Sequence, residues 1–368
     1  MSRLQIDIPY EKINLLLPQQ KSKYSVLYNV FNDLFLGLKK IGINSEITLV
    51  KYNDYFSDFP YFNVRNQKLN DLSEIIYSNQ EEFFITVDDF ALMQYFFKKN
   101  IKFTNLLIWA NYFYGHKFIF GRYTKLWETN FSIPQIYKLI SFTPLNLIMR
   151  NARFYYEPMK NNITVAQSIW TDLLLERVYN IFTRGLLYIP LEYDYYNIGK
   201  VERIKKALIY LGSNEDTDLF ALNKIINLLR EEDRELEFDY FGDSDIGEYF
   251  NRRFGKDIVY LGKLERKNLS IEYARHLVTI SPIYNGNFEM VPIQSLLCGT
   301  PVVTYIQPFM EVTGQSTLIA NISNYSEVRR KFKMWHKAVD AESNLLREKI
   351  LSVMDNSIVA RELVNYLL

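Results

Sequence analysis

Short apolar runs alternate with amphipathic stretches along this chain, and the alternation starts afresh midway. An apolar run of about 4–8 residues reads as a strand buried on both faces, and an i, i+3, i+4, i+7 stripe between such runs reads as a helix laid over them. That order calls for a parallel sheet covered by helices. In the first half Ile13–Leu17, Glu46–Tyr52, Phe83–Val87, Asn105–Ala110, Ile163–Ala166 and Leu187–Ile189 read as strands, and Tyr24–Lys40 as an amphipathic helix. A polar, tyrosine-rich connector, Glu192–Arg203, has no apolar run and reads as a linker. In the second half the strands are Ala207–Leu211, Glu237–Phe241, Ile258–Leu261, Leu277–Ser281 and Pro301–Tyr305. Helices are expected over Asp218–Glu232, striped by Leu219, Leu222, Ile225, Ile226 and Leu229, over about Val291–Cys298, and throughout the tail from Ser326. Three of these strands are followed by Gly212, Gly242 and Gly262, residues that let a turn bend sharply or a ligand approach the backbone.

The expectation is an α/β protein of two Rossmann-like, doubly wound domains facing across a cleft, residues 1–199 and 200–345, with helices in 346–368 packing back on the first. A length of 368 residues suits two domains, each large enough for its own core. With 43 Lys+Arg against 42 Asp+Glu, a net charge of +1 and 48% hydrophobic residues, the chain is neither disordered nor a polybasic nucleic-acid binder. Cys298 is the single cysteine, which excludes an intramolecular disulfide and any Cys-based zinc site. His116, His276 and His336 are too scattered for a ligand cluster on one element, so no metal is expected on them; no cofactor is expected either. The phosphate loop G-x-x-x-x-G-K-[ST], the elbow G-x-S-x-G and H-E-x-x-H do not occur. The stretch MSRLQIDIPYEKINLLLPQQ lacks a small-residue cleavage site, and no apolar stretch reaches about 18 residues, so a cytoplasmic protein is expected. Lys117, Arg122, Lys125, Lys138, Arg150 and Arg153, interspersed with apolar residues such as Trp127, leave peripheral contact with an inner membrane face open.

The run Ser281-Pro-Ile-Tyr-Asn-Gly-Asn-Phe-Glu-Met-Val-Pro-Ile-Gln-Ser-Leu-Leu-Cys-Gly-Thr-Pro-Val-Val303 resembles the donor-binding signature of retaining family 4 glycosyltransferases of the GT-B fold. Asp257-Ile-Val-Tyr-Leu-Gly-Lys-Leu264 looks like the strand and turn that flank the nucleotide base. Ile163-Thr-Val-Ala-Gln-Ser-Ile-Trp-Thr-Asp172 looks like the strand ending in Ser before a helix, and Tyr188-Ile-Pro-Leu-Glu-Tyr-Asp194 like the end of the first domain. The resemblance implies transfer of a sugar from a nucleotide-diphosphate sugar to the hydroxyl of a glycan, lipid or protein acceptor, with retention and without metal. It places the diphosphate at Asn287, Phe288, Glu289 and Met290, where a helix start offers free N–H groups, and the ribose at Gln294, a Gln where the family has Glu. Gly212, Ser213, Gly262 and Leu264 complete the donor side, and His116 and Glu289 are the catalytic candidates, Glu289 standing in for a family Glu that falls on Gly286. Asp88 and Asp89, at a strand's carboxyl end, are acceptor candidates or a helix cap.

Two departures carry weight. Where the family has an Arg and a Lys to neutralise the diphosphate, this chain has Gly212-Ser-Asn-Glu-Asp-Thr-Asp218, so Lys263, Arg266 and Lys267 are left to supply the charge. Asp243-Ser244-Asp245 matches a metal-holding D-x-D, an alternative reading in which the enzyme is metal-dependent; a loop is preferred. A second alternative is a GT-B shell that binds nucleotide or sugar without turnover.

Overall fold

The computed structural model describes residues 8–18, 26–51, 65–68, 71–100, 102–110, 156–197, 201–212, 217–284, 288–306, 308–335 and 340–368. One compact unit comprises Met1–Leu191 with Met354–Leu368, the other Glu192–Val353.

In the first unit, in chain order, come β1 (Lys12–Pro18), α1 (Val26–Lys40), β2 (Ser45–Lys51), β3 (Arg65–Lys68), α2 (Leu72–Ser78), β4 (Glu82–Val87), α3 (Phe90–Lys98), β5 (Leu106–Ala110), β6 (Ile163–Ala166) and α4 (Ile169–Tyr179). The strands pair in parallel in the order β3-β2-β1-β4-β5-β6. β1, β4 and β5 are buried almost throughout, as strands with both faces covered must be. β3, with the sequence RNQK, has no apolar residue and escaped the pattern; pairing with β2 at the sheet edge makes it a strand. Leu187–Ile189, expected as a strand, forms none: Leu186 makes one bridge to Ala166, and the Leu187 carbonyl accepts from Trp109 Nε1 at 2.8 Å. Ser168 caps α4, its Oγ accepting from Thr171 N.

The second unit contains β7 (Lys206–Leu211), α5 (Leu219–Glu232), β8 (Glu237–Gly242), α6 (Ser244–Phe254), β9 (Val259–Tyr260), α7 (Arg266–Arg275), β10 (Val278–Ser281), α8 (Met290–Leu297), β11 (Val302–Thr304), α9 (Met310–Thr313), β12 (Ile319–Asn321), α10 (Tyr325–Trp335) and α11 (Asp340–Met354). Its parallel sheet runs β12-β11-β10-β7-β8-β9. Counted from each unit's first strand, both sheets follow the order 3-2-1-4-5-6 of a doubly wound nucleotide-binding fold. The expected stripe of α5 is buried at Leu222, Ile225, Ile226 and Leu229. α6 replaces the loop expected around Asp243: Asp243 caps it, Gly255 at φ +59° ends it, and Ile246 and Phe250 anchor it in the core.

α12 (Asn356–Leu367), capped by Asp355, belongs to the first unit and packs along α1. Phe31, Leu34 and Leu38 of α1 and Val359, Ala360 and Leu363 of α12 are buried in register with a helical stripe. The helices meet at Gly37, where any Cβ would overlap the Asn356 carbonyl. Nearby, Lys40 Nζ donates to Asn356 Oδ1 at 3.2 Å.

Candidate functional site

In an open α/β sheet a ligand lodges beyond the carboxyl ends of the two strands between which the order reverses. In the second unit these are β7 and β10, and their ends are clasped. Thr217 pairs antiparallel with Ile283, and Asp218 N donates to the Pro282 carbonyl at 2.8 Å. Asp218 caps α5, its Oδ1 accepting from Ala221 N at 2.9 Å, while its Oδ2 accepts from the Tyr305 hydroxyl at 2.5 Å. Burial and the Asp218 carboxylate push the Tyr305 phenol well above its ordinary range, so it stays a donor. Gly212 sits so close that a Cβ there would come 2.9 Å from Ile283 Cδ1. The end of β7 is therefore narrow and acidic, without a cation among its described residues; Ser213 lies outside them.

α8 starts beside this point. Phe288 and Met290 are buried; Glu289 is half-buried at the N-cap, and its carboxylate does not cap the helix. The first-turn N–H groups lack intrahelical carbonyls, and the positive end of the helix dipole favours an anion. Asn287 lies outside the described residues. Gln294 opens the second turn of α8, and its Oε1 accepts from the hydroxyl of fully buried Tyr273 at 3.4 Å. Burial raises the Tyr273 phenol well above its ordinary value, which keeps that donor neutral.

The third part lies past β9. Gly262 holds φ +87° with open space around it, Leu264 is half-buried, and Lys263 and Lys267 are exposed. The first turn of α7 carries Arg266 and Lys267 and no acid, and Glu265 gives it no side-chain cap. Cations at the positive end of a helix repel its dipole, so this turn attracts anions strongly. Arg266 is already engaged: its guanidinium lies 4.5 Å from the Tyr195 ring centroid and 5.3 Å from that of Tyr196, and Nε donates to Tyr196 Oη at 3.0 Å. That leaves Lys263 and Lys267 facing solvent.

The D-x-D has a structural use, since Asp243 Oδ1 accepts from the backbone N–H of Asp245 and Ile246. Among the described residues no group of three or more His, Cys, Asp or Glu is placed to hold a metal. In the first unit the order reverses between β1 and β4, and Asp88 and Asp89 follow β4. Asp88 is buried at 0% exposure, and Asp89 Oδ1 accepts from Leu92 N at the start of α3 at 3.2 Å. His116, His336 and the basic residues from Lys117 to Arg153 lie outside the described residues. His276 is the C-cap of α7 and wholly buried, with Nε2 3.2 Å from Asp239 Oδ2. The Asp218–Tyr305 and Arg266–Tyr196 pairs join residues 87 and 70 positions apart, and no local pattern announces them.

No family model matches the sequence, and no curated protein matches it. Solved structures do. Sucrose-phosphate synthase from Thermosynechococcus elongatus superposes over 96% of this chain and 98% of its own, with TM-score 0.63 and 10% identity. Anabaena HepE, in complex with UDP and glucose, matches over 97% and 99%, with TM-score 0.62 and 12% identity. An α-glucosyltransferase in complex with UDP and a DNA oligonucleotide matches over 97% and 99%, with TM-score 0.60 and 10% identity. The likeness and the two identically ordered sheets show that the chain has the two-domain GT-B fold of these enzymes.

Proposed function

We propose that this protein is a glycosyltransferase that moves a sugar, a hexose on the family resemblance, from a nucleotide-diphosphate sugar to an acceptor hydroxyl, with retention at the anomeric carbon and without a metal. The observation that carries the reading is the β7/β10 reversal point with the uncapped start of α8 beside it, in a fold shared with two solved proteins that are bound to UDP. The diphosphate lies at the first turn of α8. Glu289 brings a carboxylate to the same place, where it repels phosphate, so its natural partners are the hydroxyls of the transferred sugar. Lys263 and Lys267 carry positive charge on the α7 side, and stabilisation of the departing nucleoside diphosphate falls to them and to the helix dipole. Gln294, with Oε1 engaged by Tyr273, offers its amide N–H groups to ribose oxygens. His116 and Glu289 are the proposed catalytic pair, and Asp88 and Asp89 stay on the acceptor side. No described helix is long and apolar enough to cross a membrane; the proposed setting is the cytoplasm, with the basic segment from Lys117 to Arg153 as a route to peripheral membrane contact.

Release of nucleoside diphosphate from a panel of nucleotide sugars, with and without EDTA, tests the reading. Turnover that survives EDTA supports it, and turnover abolished by EDTA transfers the reaction to a metal. One observation favours a second reading: the acidic, clasped end of β7 stands where the resemblance expects an Arg and a Lys, as suits a shell that binds a nucleotide without turnover. Tight binding of UDP or another nucleoside diphosphate with no release from any donor would decide for it.

A further inference from the structure

Two hydroxyls at the carboxyl end of the second sheet have no use in the fold. Ser281 and Thr304 are each 0% exposed, and Ser281 Oγ and Thr304 Oγ1 have no hydrogen-bond partner among the described residues. Buried groups of this kind are rare because they lose water without gaining a partner. Ser281 and Thr304 are register partners on parallel neighbours β10 and β11, so their side chains leave the same face of the sheet. Thr279 shares that face, and its Oγ1 accepts from Ser295 Oγ of α8 at 2.8 Å, which identifies the face as the one α8 covers. A helix that joins two parallel strands runs back against them. Ser281 lies about 7 Å farther along the strand than Thr279, and one turn before Ser295 lies about 6 Å toward the helix start. The two unpaired hydroxyls therefore face the first turn of α8, beside the order reversal. There Glu289 gives no side-chain cap, and Pro292 contributes no N–H.

We propose that Ser281 and Thr304 are donor-site residues: their hydroxyls and the first-turn N–H groups of α8 form one socket of hydrogen-bond donors, in which a buried water links the hydroxyls to the diphosphate of the bound nucleotide sugar. This rests on the donor site proposed above. It explains why two buried hydroxyls lack partners in the protein alone, since their partner is a water that the bound diphosphate holds in place.

Calorimetric titration of UDP into the parent protein, Ser281→Ala, Thr304→Val and Ser295→Ala, with the Tm of each, tests it. Ser281→Ala and Thr304→Val should each weaken UDP binding about three- to tenfold while leaving the Tm equal or higher, because the group removed had no partner in the empty protein. Ser295→Ala, which loses its bonds to Thr279 Oγ1 and the Thr300 carbonyl, should lower the Tm and keep UDP affinity. UDP affinity at the parental level in both hydroxyl variants overturns the proposal, and so does a lowered Tm, which would mean that the hydroxyls hold the fold. If the parent binds UDP and the hydroxyl variants do as well, only this inference fails. If the parent binds no nucleoside diphosphate at all, the proposed function fails first and takes this one with it.

Discussion

Gly242 ends β8 at φ +112°, a backbone angle that L-residues rarely adopt, and it stands against the end of β7. A Cβ built there would overlap the Leu211 carbonyl oxygen and come 3.0 Å from its carbon. That same oxygen accepts from Asp243 N at 2.9 Å, so it cannot move away without breaking the entry to α6. For Gly242→Ala the backbone strain contributes about 1–2 kcal/mol and the overlap about 1–3 kcal/mol, a loss of roughly 2–5 kcal/mol. Gly255 is the control: it has φ +59° with nothing within 4 Å of its would-be Cβ. Gly255→Ala therefore carries the strain alone, partly offset by the lower entropy of the unfolded chain, and should cost about 1 kcal/mol. For a unit of this size each kcal/mol moves the Tm by about 2–4 °C, so thermal unfolding followed by circular dichroism separates the two variants. Gly242→Ala should also weaken nucleotide binding, because the displaced strand end carries Gly212. Equal Tm values for the two variants, within error, would refute the close approach of β8 to β7 and with it the described shape of the reversal point.

Asp239 gives a pH dependence. Burial by itself raises its carboxyl, but hydrogen bonds from His276 and Lys206 outweigh that and hold it below the ordinary value. A carboxyl lowered in the folded state contributes stability above its unfolded value of about 3.9, and that contribution is lost as the pH falls through the folded value. The Tm should then drop on acidification below about pH 4, and Asp239→Asn should flatten this acid limb; an unchanged limb would show that another carboxyl sets it. Burial pushes the Cys298 thiol up to about 12, so maleimide should leave it unmodified at mildly alkaline pH until urea unfolds the chain. Gln294→Ala should weaken nucleoside diphosphate binding by about 0.5–1.5 kcal/mol per bond lost, whereas Glu289→Ala should lower turnover more than affinity. Arg266→Lys should destabilise the protein by about 1–2 kcal/mol in urea, because an ammonium cannot reproduce both the guanidinium's contact with the Tyr195 ring and the Nε bond to Tyr196.

The parts of this protein that could be read from its sequence are those governed by neighbours in the chain. Strands buried on both faces appear as unbroken apolar runs such as Ile13–Leu17 and Ala207–Leu211, and α5 shows its stripe because a helix turns every 3.6 residues. From these followed the alternation, the two sheets and the fold class. Short or polar strands carry no such period: β3 and β12 become strands through pairing with β2 and β11. Local signals also misled, for Asp243-Ser-Asp245 reads as a metal motif or a loop until the Gly255 terminus and the buried Ile246 and Phe250 show a capped helix. What only the tertiary structure decided are the distant pairs. The Tyr305 bond to Asp218, the contact of the Arg266 guanidinium with the Tyr195 and Tyr196 rings, and the alignment of Ser281 with Thr304 all depend on strand order and register. Sequence periodicity determines which face of an element is apolar, but not which other element will cover it, and the chemistry of the reversal point is written in that second choice.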